Sequence, residues 1–130
     1  MVILDTSIWI EFFRFDTRLD LKTIVNLEDI HICPPIYMEV LQGIRDEKAF
    51  QKVKTYFKQF KMVESPLSEE LIEEAIHIFR LCKRSGLPVR NSVDCIISAC
   101  AKKHNLSILH IDRDYKYISQ IFPIKEKSIK

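Results

Sequence analysis

The sequence predicts an α/β fold in three layers, with a central parallel sheet of about five strands covered by helices on both faces. Three observations lead there. Short β-rich runs alternate with longer stretches of helical period along the whole chain, 47% of the 130 residues are apolar, and neither a repeat nor a low-complexity tract breaks the alternation. Strands that alternate with helices imply right-handed crossovers and parallel pairing. The length is that of one domain, taken as residues 1–130.

The elements follow in order. Val2-Ile3-Leu4 reads as a buried strand ending at Asp5, after which Thr6 or Ser7 can cap a helix carrying Ile8, Trp9, Phe12 and Phe13. Leu19 to Leu27 reads as a second short helix. His31-Ile32-Cys33 is strand-like, and Pro34-Pro35 turn the chain into a helix with Ile36, Val40 and Leu41 on one face and Gly43 near its end. Ala49, Val53, Tyr56, Phe57 and Phe60 continue with helical spacing, and Met62-Val63 is a third strand. Pro66 and Ser68 open a long helix whose stripe of Leu71, Ile72, Ala75, Ile76, Phe79 and Leu81 runs to the stop signal Ser85-Gly86-Leu87-Pro88. Asn91 or Ser92 caps the next helix, with Val93, Ile96, Ile97, Cys100 and Ala101 as its stripe. Ile108 to Ile111 is a strand, Asp112 to Ile121 a short helix, and Phe122 to Ile124 an edge strand.

Composition narrows the function classes. A formal charge of +2 neither demands nor forbids a polyanionic partner, so any nucleic-acid argument depends on where charges cluster. Cys33, Cys82, Cys95 and Cys100 form no C-x-x-C pair and read as buried thiols in a reducing compartment. No apolar run reaches the roughly 20 residues a bilayer span needs, so a cytoplasmic protein is expected.

In parallel sheets ligands bind beyond the carboxyl ends of the strands, so residues placed just after a strand carry the functional weight. Asp5 follows the first strand and Asp112 the fourth. Glu39 lies one turn inside the helix after the second strand, and Asp94 lies in the first turn of the Asn91 helix beside an apolar stripe. Taken singly, Asp5 and Asp112 are also ordinary helix caps and Glu39 an ordinary solvated side chain. Together, four acids at one edge would repel by roughly 4 kcal/mol per close pair at about 4 Å and an effective dielectric of about 20. A divalent cation removes that conflict, and oxygen ligands without a matching His or Cys set favour Mg²⁺ or Mn²⁺ over Zn²⁺.

At this point the chain resembles the PIN domain, and within it the small toxin ribonucleases of VapC type. The likeness spans essentially the whole chain and rests on V-I-L-D-T-S-I-W-I around Asp5, E-V-L-Q-G with Glu39, V-R-N-S-V-D-C-I-I-S-A-C-A around Asp94, and H-I-D-R-D-Y around Asp112. It implies that Asp5, Glu39, Asp94 and Asp112 are the catalytic and metal-holding quartet, with Ser7 supplying a hydroxyl beside them and Asp114 an outlying fifth acid. It implies a PIN-like α/β/α fold, RNA as substrate and a product with a 5′ phosphate. A carboxylate-bound Mg²⁺ or Mn²⁺ would position a water, lower its pKa and stabilise charge on the phosphoryl oxygens. Glu39 ligates a second ion or orients the water, and the sequence does not separate these roles. One departure is His110, where the family often has Thr or Ser; it reads as a polar side chain at a strand end, and as a ligand it would shift preference toward Mn²⁺. His31, His77 and His104 read as structural or surface residues.

Substrate needs cations near the acids. Lys83-Arg84, Arg90, Lys102-Lys103 and Arg113 are the candidates; Arg90 and Arg113, nearest the pocket acids, contact RNA, pair with the surplus carboxylates, or meet an acidic partner. The resemblance also implies a VapB-like antitoxin that enters the acidic site, and a homodimer. Trp9, Phe12, Phe13 and Phe15 crowd one short stretch, and a helix of period 3.6 cannot bury all of them, which leaves Phe15 and one neighbour for a dimer or antitoxin groove. Two other classes compete. A receiver-type phosphoacceptor needs an Asp at the end of the third strand and a Lys after the fifth, but Glu64 and Ser65 follow the third strand; a haloacid-dehalogenase-like phosphatase needs D-x-D where Asp5-Thr6-Ser7 stands. The other class is a catalytically silent binding module on the same fold, against which the presence of all four acids argues.

Overall fold

The computed structural model describes residues 1–14 and 20–129; Phe15 and the start of the expected second helix lie outside the described residues. The elements are β1 (Val2–Leu4), α1 (Thr6–Phe13), β2 (Ile30–Ile32), α2 (Pro34–Gln42), α3 (Glu47–Phe57), β3 (Lys61–Met62), α4 (Glu69–Arg84), α5 (Ser92–Lys103), β4 (Ser107–His110), α6 (Asp114–Ser119) and β5 (Lys125–Ser128). Every strand pairing is parallel, and the order across the sheet is β3-β2-β1-β4-β5. Adjacent residues of a strand point to opposite faces. Ile3 and Leu4 are both fully buried, as are Ile108 and, nearly so, Leu109, so helices cover both faces of the sheet. That is the three-layer α/β/α arrangement expected.

Local chemistry explains the boundaries. Asp5, rather than Thr6 or Ser7, caps α1, its carboxylate accepting the Ser7 N–H. The cap falls one residue early because the strand hands over to the helix without a loop. Asp46, Ser68 and Asn91 cap α3, α4 and α5 through their side chains, and Pro34 and Pro35 occupy the first turn of α2. Gly86, at φ 70°, takes the left-handed position that ends α4, and the Leu87 N–H reaches back to the Cys82 carbonyl (2.9 Å). Asn105, at φ 54°, plays the same part after α5.

Two expectations need correction. Within Leu19 to Leu27 the described residues form the short 3₁₀ turn Leu21–Thr23, with a second such turn at Leu27–Asp29, and no α-helix. The edge strand is Lys125–Ser128, not Phe122 to Ile124. An edge strand needs only one covered face and is protected by charge from pairing with another chain, so the exposed Lys125 and Lys127 serve where an apolar run was sought, with Glu126 turned inward to His110. Trp9 is fully buried and stacks on Phe13 (5.9 Å between centroids) and edge-on to Phe57 (4.9 Å), while Phe12 and Phe13 are half-buried. All four cysteines are buried and free. No helix among the described residues is long and apolar enough to cross a membrane.

Candidate metal centre

The strand order creates the site. From β1 the chain steps outward to β2 and β3, then crosses back to lay β4 on the other side of β1 and continues to β5. Crossovers leaving β1 and β4 diverge, which opens a crevice at their carboxyl ends. Asp5 stands directly after β1 and Asp112 two residues after β4. The first turn of α5 brings Asp94 to the same crevice, and Asp114 opens α6 beside it.

Among the described residues, Asp94, Asp112 and Asp114 each offer a carboxylate oxygen, and the three atoms lie within 4.8 Å of one another. Asp5 joins this group through Tyr115, whose buried hydroxyl donates to Asp5 Oδ1 (2.6 Å) and lies 3.3 Å from Asp94 Oδ1. The other Asp5 oxygen accepts from the Ser7 N–H (3.0 Å) and hydroxyl (2.5 Å); Ser7 Oγ in turn accepts the Ile111 N–H, tying the end of β4 to Asp5. Glu39 lies one link further away, accepting from the Thr6 hydroxyl (2.8 Å). The cap and site readings of Asp5 therefore coexist in one carboxylate. Asp112 likewise accepts the Asp114 N–H (3.0 Å), an Asx turn that starts α6.

Asp94 carries the electrostatic conflict. It is 3% exposed, and its Oδ2 is buried without any hydrogen-bond donor. Burial first, then the charges of Asp5, Asp112 and Asp114, push its carboxyl up to about 8. Burial first, then the charges of Asp5 and Asp94 and the hydrogen bonds to them, raise the Tyr115 phenol well above its ordinary range, so it stays protonated and serves as a donor. A buried carboxylate with one orphaned oxygen, grouped with the carboxylates of Asp112 and Asp114, fits a small divalent cation, and an all-oxygen donor set suits Mg²⁺ or Mn²⁺.

Arg90 partly neutralises the group. Its guanidinium lies 3.5 Å from Asp112 and 3.4 Å from Asp114, and its backbone N–H donates to Asp114 Oδ2 (3.2 Å). Arg113 is exposed and forms no ion pair among the described residues. Lys102 pairs with Glu74 and Lys103 with Glu64, away from the crevice. His110 is fully buried with both ring nitrogens engaged, one by the Asp112 N–H and the other by Glu126, so neither faces a metal. Tyr115 is the residue that sequence reasoning missed. It sits within the H-I-D-R-D-Y segment, but periodicity treats Tyr and Phe alike, and only the destination of the hydroxyl separates them.

The PIN domain model matches residues 2–120. The chain is 30% identical to Ribonuclease VapC11 of Mycobacterium tuberculosis, with all of both chains covered. Its fold is similar to that in VapBC2 from Rickettsia felis bound to a promoter DNA fragment (TM-score 0.75, 15% identity, 100% of both chains) and to VapBC-1 from nontypeable Haemophilus influenzae (TM-score 0.75, 15% identity, 98% of both chains). A family model that matches nearly the whole chain and full-length identity to a VapC ribonuclease agree with a fold that opens its acidic crevice at the β1–β4 switch point, and the chain belongs to the PIN-domain family, among the VapC ribonucleases.

Proposed function

We propose that this chain, folded as one PIN-like domain over residues 1–130, is a Mg²⁺- or Mn²⁺-dependent endoribonuclease and the toxin of a toxin–antitoxin pair. The observation that carries the reading is the buried, donor-free Asp94 Oδ2 beside Asp112 and Asp114. Asp94, Asp112 and Asp114 would hold the ion, with Asp5 the fourth acid of the pocket. Ser7 and Tyr115 fix Asp5 from two sides, so its carboxylate is oriented before an ion arrives. A bound Mg²⁺ or Mn²⁺ supplies an activated water and neutralises charge on the phosphoryl oxygens of the scissile bond. Glu39, held by Thr6 at the pocket margin, takes a second ion or accepts the proton of the attacking water. Arg90 is 62% exposed and free to swing from Asp112 and Asp114 toward an RNA phosphate; Arg113 reaches solvent from the segment between β4 and α6. Among the described residues, no Ser–His or Cys–His hydrogen bond stands at the crevice for a covalent route, since Ser7 bonds Asp5 and His110 bonds Glu126 and the Asp112 N–H.

A VapB-like antitoxin as partner is supported by the toxin–antitoxin complexes among the structural neighbours. A groove of about 480 Å³ between α1 and α3, lined by Phe12, Phe13, Ile44, Val53 and Tyr56, offers apolar surface for it. A homodimer and a cytoplasmic location complete the proposal.

The purified protein is expected to cut RNA in Mg²⁺ or Mn²⁺ and to lose all cutting in excess EDTA, read on a labelled transcript and mapped at the new 5′ ends. Full cutting in EDTA, once contaminating ribonuclease is excluded, would overturn the metal mechanism.

A further inference from the structure

His110 is a fully buried polar ring at the carboxyl end of β4, and both of its nitrogens have assigned work. Nδ1 accepts the Asp112 N–H (3.2 Å). An accepting nitrogen carries no proton, so the ring proton sits on Nε2, which meets Glu126 Oε2 at 2.5 Å. Glu126 belongs to β5, the edge strand, where it pairs with Ile108 while Ser128 pairs with His110. The imidazole also packs against the Tyr115 ring, 4.9 Å between centroids, whose hydroxyl holds Asp5. One ring therefore touches the backbone of one pocket acid and the side chain that orients another.

We propose that His110 and Glu126 are positioning residues of the acidic centre: Glu126 fixes the tautomer and orientation of His110, and His110 fixes the Asp112 amide and with it the loop that carries Asp112 and Asp114. The proposal rests on reading those acids as a metal centre. The loop needs such an anchor. Ser7 holds the segment between β4 and α6 at the Ile111 N–H and Arg90 holds it at Asp114, while the Asp112 carboxylate is committed to the Asp114 N–H, so the bond from the Asp112 amide to His110 is what fixes the backbone of Asp112 itself. Groups that orient a ligand without touching the ion change metal affinity by about 10- to 100-fold when removed. β5 contributes no acid to the crevice, yet through this chain of two hydrogen bonds it becomes part of the centre.

The test uses the whole chain with Glu126→Gln, Glu126→Ala and Glu126→Met, measuring Mn²⁺ affinity by calorimetry and hydrogen exchange of the Asp112 amide in EDTA. Gln retains an oxygen that accepts from Nε2–H and is expected to keep affinity within about twofold and the amide protected. Ala and Met remove that acceptor and are expected to weaken Mn²⁺ binding by about tenfold or more, with faster exchange at Asp112. Met keeps the length of the side chain, so it carries the comparison if Ala fails to fold. Parental Mn²⁺ affinity in either variant, even with a lowered melting temperature, would overturn the proposal and leave the pair a packing contact. A parent that binds no Mn²⁺ would overturn the metal-centre reading itself, and the two failures are told apart by which protein shows them.

Discussion

Asp94 binds its proton more tightly in the folded chain than in the unfolded one, because burial and three neighbouring acids lift its carboxyl from 3.8 to about 8. The sign follows from linkage: a group raised on folding adds stability that is complete below about pH 4 and is lost as pH rises through about 8, at no more than about 1.4 kcal/mol per pH unit for one group. In EDTA the parent is therefore expected to melt at lower temperature as pH rises from 5 to 8, and Asp94→Asn is expected to flatten that slope and melt at or above the parent at pH 8. An ion must displace the same proton, so parental Mn²⁺ affinity is expected to climb up to about tenfold between pH 6 and 7, measured by calorimetry. Tyr115→Phe tests the opposite side of the pocket. It leaves Asp5 Oδ1 without its donor, and the metal-free protein is expected to lose about 1–3 kcal/mol in urea melts, with part regained in Mg²⁺.

The elements that hold the pocket differ in how visible they were beforehand. Asn91 before an apolar stripe announces α5 and places Asp94 in its first turn, and Val2-Ile3-Leu4 ahead of Asp5 announces β1, because capping and burial patterns are local. What local patterns do not carry is the partner of a side chain. The His110–Glu126 bond joins two strands, the Tyr115 hydroxyl spans α6 to β1, and Arg90 reaches the β4–α6 loop; each depends on strand order, which no residue spells out. The charged edge strand β5 escaped for a related reason, since its role is protection rather than burial. Glu64 is another such case. It follows β3 at φ 58°, a left-handed conformation that Glu disfavours, and is held there by Lys103 (2.7 Å) and His104 (2.8 Å) at the end of α5. The Lys103 hydrogen bond above all keeps its carboxyl down at about 2. A lowered carboxylate adds stability present above its ordinary 4.5 and lost as pH falls toward 2. Glu64→Ala is expected to lower stability at pH 7 by on the order of 1 kcal/mol, because both partners are partly exposed, with the difference vanishing near pH 2 in thermal melts.

At the scale of the whole molecule, an acid from the start of the sequence and three from its last third meet in one crevice on a chain whose net charge is only +2. Expression without an antitoxin is expected to arrest growth, and Asp94→Asn to relieve the arrest while the protein still accumulates on a blot. An Asn variant as toxic as the parent would remove Asp94 from the centre. The central strand adds a matter of timing. Val2 is paired on one side with Ile30 and on the other with Ser107. At roughly 5–20 residues per second of synthesis, the second pairing becomes available several seconds after the first. Until residues past 110 leave the ribosome, β1 has an open flank, and Asp5 and Asp94 wait for Asp112 and Asp114. A chain made only as far as α5 thus holds a half-made pocket, so the proposed nuclease cannot act on the message from which it is being translated before the segment from β4 to α6 has been made.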